Sequence, residues 1–269
     1  MIPILIVFFA VSVLYVLALR GRTGHPQLRK FCQWRYAHRG LHGNGVPENS
    51  MDAFRLALES GYGIELDIHL LADGNLAVIH DASLKRTAGV DVQIESLTTE
   101  QLRDYPLEGT TQTIPTFRQV LDLYAGKAPL IVELKPENNN HAALTAAACE
   151  MLADYPGLYC IESFDPRCIR WLKANRPDIV RGQLAHNSLH EAPGRVPYIL
   201  RLVMTNLLSN FWNLPDFIAY RFGDRNRLSV RLARKFWKIQ GAAWTLQTQE
   251  EFDAALQDNW IPIFEGFRP

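Results

Sequence analysis

Cysteine is scarce in this chain and never grouped. The 269 residues hold four, Cys32, Cys149, Cys160 and Cys168, with no CxxC pair and no zinc-like cluster. They read as small apolar residues with free thiols, which fits a reducing compartment. An excess of either charge is also missing: 28 basic residues balance 28 acidic ones. No bulk attraction to nucleic acid follows from such a balance. Residues 2–19, IPILIVFFAVSVLYVLAL, carry no charge at all, and no lysine or arginine precedes them.

That uncharged run comes to roughly 27 Å as a helix at ~1.5 Å per residue, close to the ~30 Å hydrocarbon core. The expectation is a single transmembrane anchor over residues 1–20, followed by a linker over 21–33 and one globular domain over 34–269. A cleaved signal peptide is the alternative, with Val16 and Ala18 as small residues near a cleavage site. Arg20, Arg22, Arg29, Lys30 and Arg35 follow the run. By the positive-inside rule they place the domain on the cytoplasmic side of the cell (inner) membrane.

Beyond the anchor, strand-like and helix-like stretches alternate, as parallel βα units do. Strands are expected near 34–38, 62–69, 129–134, 158–163, 179–185, 217–221, 240–245 and 261–264. Helices are expected near 48–60, 116–125, 140–154, 166–175, 226–238 and 248–257. Eight strands at this spacing predict an α/β fold, a (β/α)8 barrel. Ser50 or Asn49 is the expected cap of the first barrel helix, behind Pro47. Two stretches break the alternation. Residues 82–115 read as an inserted lid or rim. Residues 189–216 are unusually apolar, and Leu207, Leu208, Phe211, Trp212 and Leu214 suggest either a buried loop helix or one lying in a membrane interface.

The ionisable residues gather between Tyr36 and Asp81. On a strand, side chains two apart share a face, so Glu65, Asp67 and His69 point one way and Ile64, Leu66 and Ile68 the other. A solvated surface strand has the same pattern. A second strand, however, ends an apolar run with Glu133 and Lys135, and charges at the ends of apolar strands are better explained by a site. Were Glu65, Asp67 and Glu133 to converge, two carboxylates ~4 Å apart would repel by about 4 kcal/mol at an effective dielectric near 20. A divalent cation resolves that conflict, and an all-oxygen set suits Mg2+ or Ca2+. Arg39 offers a planar fork for phosphate and Lys135 a compact second charge. His38 and His80 flank the carboxylates, where imidazole can exchange protons near neutral pH. His69 lies further along its strand and reads as rim.

AHRG, PENS, Glu65-x-Asp67, the ADG turn, His80-Asp81 and Glu133-x-Lys135, in this order, resemble the glycerophosphodiester phosphodiesterase family. The resemblance runs from about residue 34 to the C-terminus. It implies a TIM-type barrel, a divalent cation and hydrolysis of a glycerophosphodiester to an alcohol and glycerol 3-phosphate. It further implies acid/base roles for His38 and His80, phosphate contact for Arg39, metal ligation by Glu65, Asp67 and Glu133, and substrate contact for Lys135. Glu162-Ser163-Phe164-Asp165 and Ala243-Trp244-Thr245-Leu246 resemble later family segments, which makes Phe164 and Trp244 candidates for the substrate wall, against plain core packing. No helix follows the expected eighth strand, a departure from members that have one; residues before Trp34 are candidates to take its place. The expected substrates are soluble glycerophosphodiesters, with lysophospholipids or phosphatidylglycerol-like lipids as a membrane-borne extension. Two alternatives share these residues: a catalytically silent headgroup-binding module and a lyase that forms a cyclic phosphate. The sequence carries no signal for an oligomeric state.

Overall fold

The computed structural model describes residues 2–190 and 196–269, so residues 191–195 of the second break, and Met1, lie outside the described residues. In chain order the elements are α1 (Ile2–Ala18), α2 (Leu28–Phe31), β1 (Tyr36–His38), α3 (Met51–Glu59), β2 (Gly63–Leu70), β3 (Leu76–Val78), α4 (Phe117–Tyr124), β4 (Leu130–Leu134), α5 (His141–Met151), β5 (Tyr159–Ser163) and α6 (Pro166–Asn175). Then come β6 (Val180–Ala185), α7 (Tyr198–Thr205), α8 (Asn210–Asn213), β7 (Phe217–Arg221), α9 (Leu228–Trp237), β8 (Gln240–Leu246), α10 (Gln249–Gln257) and β9 (Trp260–Phe264). Strands β1, β2 and β4 to β9 pair in parallel, and β1 bonds to both β2 and β9, closing a TIM-type barrel. The eight expected strands are these eight. β3, not expected as a separate strand, forms an antiparallel hairpin with β2.

Alternation along each strand sorts the barrel into an inside and an outside. Tyr36, Ile131, Cys160, Val180, Phe217, Ala242 and Ile261 pack together as the inner core. The partners Ala37, Ile64, Leu66, Val132, Ile161 and Ile218 belong to the outer core under the helices. Rings inside so narrow a barrel need space from neighbouring strands. A Cβ on Gly182 would lie 2.2 Å from the Phe217 ring, so the absent side chain is what admits Phe217. The segment before β1 joins this core: α2 turns Phe31 inward, 1% exposed, against the inner cluster. It plugs the base of the barrel and does not stand in for a last helix. At the seam, Phe267 packs edge-on against Phe252 and Phe264, and Tyr62 Oη donates to the Pro269 carbonyl.

The first break is a rim, with its own small core built from Leu71, Ile79, Leu84, Ile94, Leu97 and Leu102. The second forms α7 and α8. Here the expected interfacial set is corrected: Leu207 is fully buried in the outer core and Leu208 packs against it, while Phe211 and Trp212 are 58% and 50% exposed. Leu207 and Leu208 lie in the turn that follows α7, where Leu207 enters the core, whereas Phe211 and Trp212 stand exposed on the four-residue α8.

The transmembrane part of the anchor expectation is not supported. α1 has 17 residues, and among the described residues no helix is long and apolar enough to cross a membrane. Its C-terminal end is taken up by the domain. Leu19 is fully buried, and Trp237 Nε1 donates to the Val16 carbonyl at 2.7 Å. Arg22, counted above among the charges that orient an anchor, is held by Asp216 at 2.5 Å beneath the barrel.

Candidate functional site

Register brings the charged residues together at the C-terminal ends of the strands. His38 pairs across with Glu65, Asp67 with Glu133, and Glu133 with Glu162. All of them occupy inward positions, with Glu65 level with Ile131 and Asp67 and Glu133 two residues further along their strands. Glu65, Asp67 and His69 are 2%, 1% and 1% exposed, which excludes a solvated surface strand. Glu65, Asp67 and Glu133 each present an oxygen, and the three oxygens lie within 4.8 Å of one another.

Their ionisation shows the conflict expected of such a trio. Burial, reinforced by Asp67 and Glu133, holds Glu65 well above the usual carboxylate range, and burial pushes Glu133 up to about 7. Burial would raise Asp67 as well, but Lys135 and the neighbouring His80 and Arg39 outweigh it and hold Asp67 well below that range. Lys135 Nζ sits 3.1 Å from Asp67 Oδ1 and 2.6 Å from Glu133 Oε1. Lys135 thus lays one ammonium against two of the three carboxylates. Carboxylates buried this close together cost stability unless positive charge meets them. The donor set is all oxygen, three buried carboxylates in one place, and it fits a hard divalent cation.

Arg39 enters the site through an unusual backbone. Its φ is 54°, and Gly40 follows at φ 81° with Ala53 so close that a Cβ would lie 2.8 Å from the Ala53 carbonyl carbon. A non-glycine residue in that region costs about 1–3 kcal/mol and is kept where the surroundings fix it. Here the Arg39 amide donates to the Glu65 carbonyl at 2.9 Å, and its carbonyl accepts from the Asn49 amide at 3.0 Å. The guanidinium straddles Glu48, with Nη1 3.0 and 3.1 Å from the two oxygens, while Nε lies 3.4 Å from Asp67 Oδ2. PENS explains itself through these contacts. Ser50 caps α3 by accepting from the Ala53 amide, Glu48 aligns Arg39, and Asn49 Nδ2 donates to Asp67 Oδ2 at 2.9 Å.

Each candidate proton carrier has its own carboxylate. His38 Nδ1 bonds Glu265, leaving Nε2 3.7 Å from Glu65 Oε2. His80 Nδ1 bonds Asp81 Oδ1 at 2.6 Å, and Asp81 Oδ2 is held by Arg86 Nε at 2.6 Å. Burial lowers the His80 imidazole below its ordinary value, against the pull of Asp67. Arg86 also reaches Glu48 at 2.6 Å, so the rim insertion is tied to the site. His69 is not rim: its Nε2 lies 3.2 Å from the His80 carbonyl, beneath the backbone that carries His80.

Residues His38, Arg39, Glu65, His80, Glu133 and Lys135 line one cavity of about 120 Å³, and Phe164 and Trp244 form its opposite wall. The two rings meet edge to face at 5.6 Å, and His186 completes the group at 5.6 and 6.1 Å. Lys135 Nζ stands 5.8 Å from the Phe164 ring centroid. All nine predicted site residues therefore belong to one site, with Asp67 buried beneath the cavity floor. Sequence reasoning did not single out Glu48, Asn49, Glu162 or Glu265. Glu162 is 1% exposed, and burial reinforced by Glu133 holds it well above the carboxylate range. Period-two counting along β5 and past β9 would have found Glu162 and Glu265, since both share the inward parity of their strands.

The sequence profile of the Glycerophosphoryl diester phosphodiesterase family matches residues 38–264. A Bacillus altitudinis glycerophosphodiester phosphodiesterase is 40% identical over 111 residues, 39% of this chain and 45% of that protein. The Rattus norvegicus lysophospholipase D GDPD1 is 32% identical over 124 residues, covering 41% of this chain and 39% of its own length. The chain thus spans less than half the length of either relative. An Oleispira antarctica phosphodiesterase, solved in complex with the product sn-glycerol-3-phosphate, superposes with a TM-score of 0.71 at 22% identity over 88% of this chain and 94% of that one. At that identity the likeness carries the fold. With a profile match from the last residue of β1 to the end of β9, this chain belongs to the glycerophosphoryl diester phosphodiesterase family.

Proposed function

We propose that the protein hydrolyses glycerophosphodiesters to an alcohol and a glycerol phosphate, with a divalent cation, Mg2+ or Ca2+, held by Glu65, Asp67 and Glu133. One observation carries this reading: a crowded, buried carboxylate trio, two phosphate-matching cations and two carboxylate-paired histidines gather at one small pocket at the C-terminal mouth of the barrel. The product named in the Oleispira antarctica complex agrees with it.

When bound, the cation supplies Lewis-acid polarisation of phosphate and a lower pKa for the attacking oxygen. The chain's own residues do the rest. Arg39, aligned by Glu48, and Lys135 offset charge on the phosphate oxygens. One of His38 and His80 takes the proton of the attacking oxygen as that oxygen bonds to phosphorus. The other gives a proton to the alcohol oxygen as its bond to phosphorus breaks. Glu265 and Asp81 fix which ring nitrogen each histidine turns to the substrate. Trp244 Nε1 is buried without a hydrogen-bond partner, a donor open to the glycerol end of a substrate. A silent headgroup-binding module would have no use for two oriented imidazoles.

We also propose that the enzyme works at a membrane surface, with α1 and the apolar parts of α7 and α8 as its contact. In α1, Ile4, Phe8 and Phe9 are 73%, 72% and 70% exposed. The neighbouring α9 adds exposed Leu228 and Phe236 beside basic Arg231 and Lys235, a combination suited to anionic lipid.

The decisive assay measures alcohol release from glycerophosphocholine and related diesters with Mg2+ or Ca2+, beside His38→Ala. Turnover lost in the variant is the expected result. No turnover of any diester with any divalent ion would sink the hydrolase, and accumulation of a cyclic phosphate as final product would favour the lyase.

A further inference from the structure

A second group of ligand atoms stands beside the carboxylate trio, on the β9 side of His38. His38, His42 and Glu265 each present one, and the three atoms lie within 4.8 Å of one another. The turn after β1 builds this group. Arg39 and Gly40, at φ 54° and 81°, reverse the chain, and the His42 amide donates to the Gly40 carbonyl at 3.1 Å, so the second imidazole returns alongside the first. Glu265, the residue after β9, joins them across the seam where β9 pairs with β1.

The two oxygens of Glu265 are divided between the rings. Oε2 bonds His38 Nδ1, whereas Oε1 lies 3.8 Å from His42 Nε2, too far for a hydrogen bond. His42 Nε2 is buried and has no hydrogen-bond partner, which leaves a ring nitrogen beside a carboxylate it does not bond. A buried polar atom of this kind calls for an explanation, and a bound ion is one. A cavity of about 250 Å³, lined in part by His42, Gly43, Glu265 and Gly266, adjoins the group and gives a small ion and its water a way in. Arg39, a fixed cation acting on this corner, is matched by Glu48 and Asp67.

The donor chemistry differs from that of the trio. Two imidazoles and one carboxylate make a zinc site with an open fourth position, whereas three carboxylates suit Mg2+ or Ca2+. Neighbouring ligands of a tetrahedral zinc with bonds of ~2.0–2.1 Å stand roughly 3.4 Å apart, so the 3.8 Å gap at His42 closes with a small side-chain shift.

We propose that His38, His42 and Glu265 form an inhibitory site for Zn2+, separate from the carboxylate trio. The inhibition rests on the hydrolase reading; the binding does not. As Zn2+ enters, the proton between His38 Nδ1 and Glu265 leaves to water and a nitrogen–zinc bond takes its place. The remaining ring proton of His38 then sits on Nε2, the nitrogen on the Glu65 side. That nitrogen has no lone pair left to accept a proton from the attacking oxygen, and giving its own proton up would leave an imidazolate. Both roles open to His38 are blocked while the trio keeps its own cation. His42 does not line the charged pocket, so it ligates the inhibitor and takes no part in turnover.

The test titrates Zn2+ against glycerophosphocholine turnover at saturating Mg2+ in wild type, His42→Ala and His42→Gln. Zn2+ should inhibit the wild type with no relief from further Mg2+. Both variants should keep their basal kinetics and need at least about 10-fold more Zn2+ for half inhibition, the cost of losing even an outer-shell metal partner. Binding is read apart from activity with Co2+: the visible bands of a tetrahedral ion should appear in wild type in excess Mg2+ and be lost in both variants. Indifference to Zn2+, inhibition that Mg2+ relieves, or equal Zn2+ sensitivity and equal Co2+ bands in the variants would overturn the proposal. Absence of all diester turnover together with His42-dependent Co2+ bands would overturn the hydrolase reading and leave the metal site standing.

Discussion

The barrel mouth divides into two arcs of opposite chemistry. On β1, β2 and β4 the uppermost inward positions hold His38, Glu65, Asp67, Glu133 and Lys135, every one of them tied to a neighbouring charge. On β5, β6 and β8 the equivalent heights lead to Phe164, His186 and Trp244, which meet one another edge to face. The charged arc is crowded, over-determined by ion pairs and small in volume. The aromatic arc is looser and adjoins a cavity of about 790 Å³ that Leu200, Met204 and Trp212 help to line. A phosphodiester has the same division, with one ionised phosphate and two arms of variable polarity. The difference suggests that the first arc sets the rate on every substrate and the second sets which arm is preferred.

The sharpest way to break this comparison is to strike the charged arc. His80→Ala or His38→Ala should lower kcat on glycerophosphocholine by about 10²–10⁴-fold, measured in steady state with saturating Mg2+ or Ca2+. The loss should be equal for acylated and plain diesters; a selective loss would erase the division between arcs. Chelation of divalent ions should abolish turnover in the wild type, with recovery on adding the ion back. Glu265→Gln comes next. It leaves the imidazole in place but loosens its orientation, and a fall in kcat of up to about 10²-fold with KM nearly unchanged is expected. An unchanged kcat would show that His38 is held by other means.

A smaller effect concerns stability. Burial lowers the His69 pKa from 6.5 to about 4. The unfolded chain therefore takes up this proton between pH 6.5 and 4 while the folded chain does not. The sign is fixed by that: the contribution is full above pH 6.5 and is lost as the pH falls toward 4, amounting to about 3 kcal/mol at one pKa unit per 1.36 kcal/mol. Denaturant melts of His69→Gln across that range should show a shallower acid slope than wild type; identical slopes would place the acid sensitivity elsewhere. Smallest of all, removing residues 2–14, which stop short of the buried Leu19, should change glycerophosphocholine turnover by less than about twofold, since exposed apolar residues add little to the fold. The same truncation should weaken co-sedimentation with anionic vesicles. Retained co-sedimentation would move the membrane contact to α7 and α9.

Much of the charged arc was legible because strand geometry converts sequence spacing directly into a shared face. Glu65-x-Asp67 and Glu133-x-Lys135 need no tertiary information to be paired, and each apolar run with a charged end marks a strand and its open side. His69 was misjudged by the same rule. Period two gave its face correctly, but whether that face at position 69 is solvent or interior depends on β3 folding back to cover it. Glu48 and Asn49 were seen as parts of a helix start, yet their partners Arg39, Arg86 and Asp67 come from three separate segments. Glu265 lies more than two hundred residues from His38, and only closure of β9 against β1 makes them neighbours. For the apolar run 2–19, composition could not show that Leu19 and the carbonyl of Val16 serve the domain.

By itself, then, the sequence determined the eight strands, the barrel they form, the face of each strand that carries charge, and the chemical types gathered there. These follow from local periodicity and from the cost of burying unpaired charge, both readable along the chain. Tertiary structure alone decided which carboxylate supports which histidine, that residues 28–31 plug the base of the barrel, and that Leu207 belongs to the core while Leu200 borders a cavity. The physical reason is that burial and pairing at those positions are properties of segments distant in sequence, brought to within a few ångströms only when β9 closes on β1 and α7 folds back over β6.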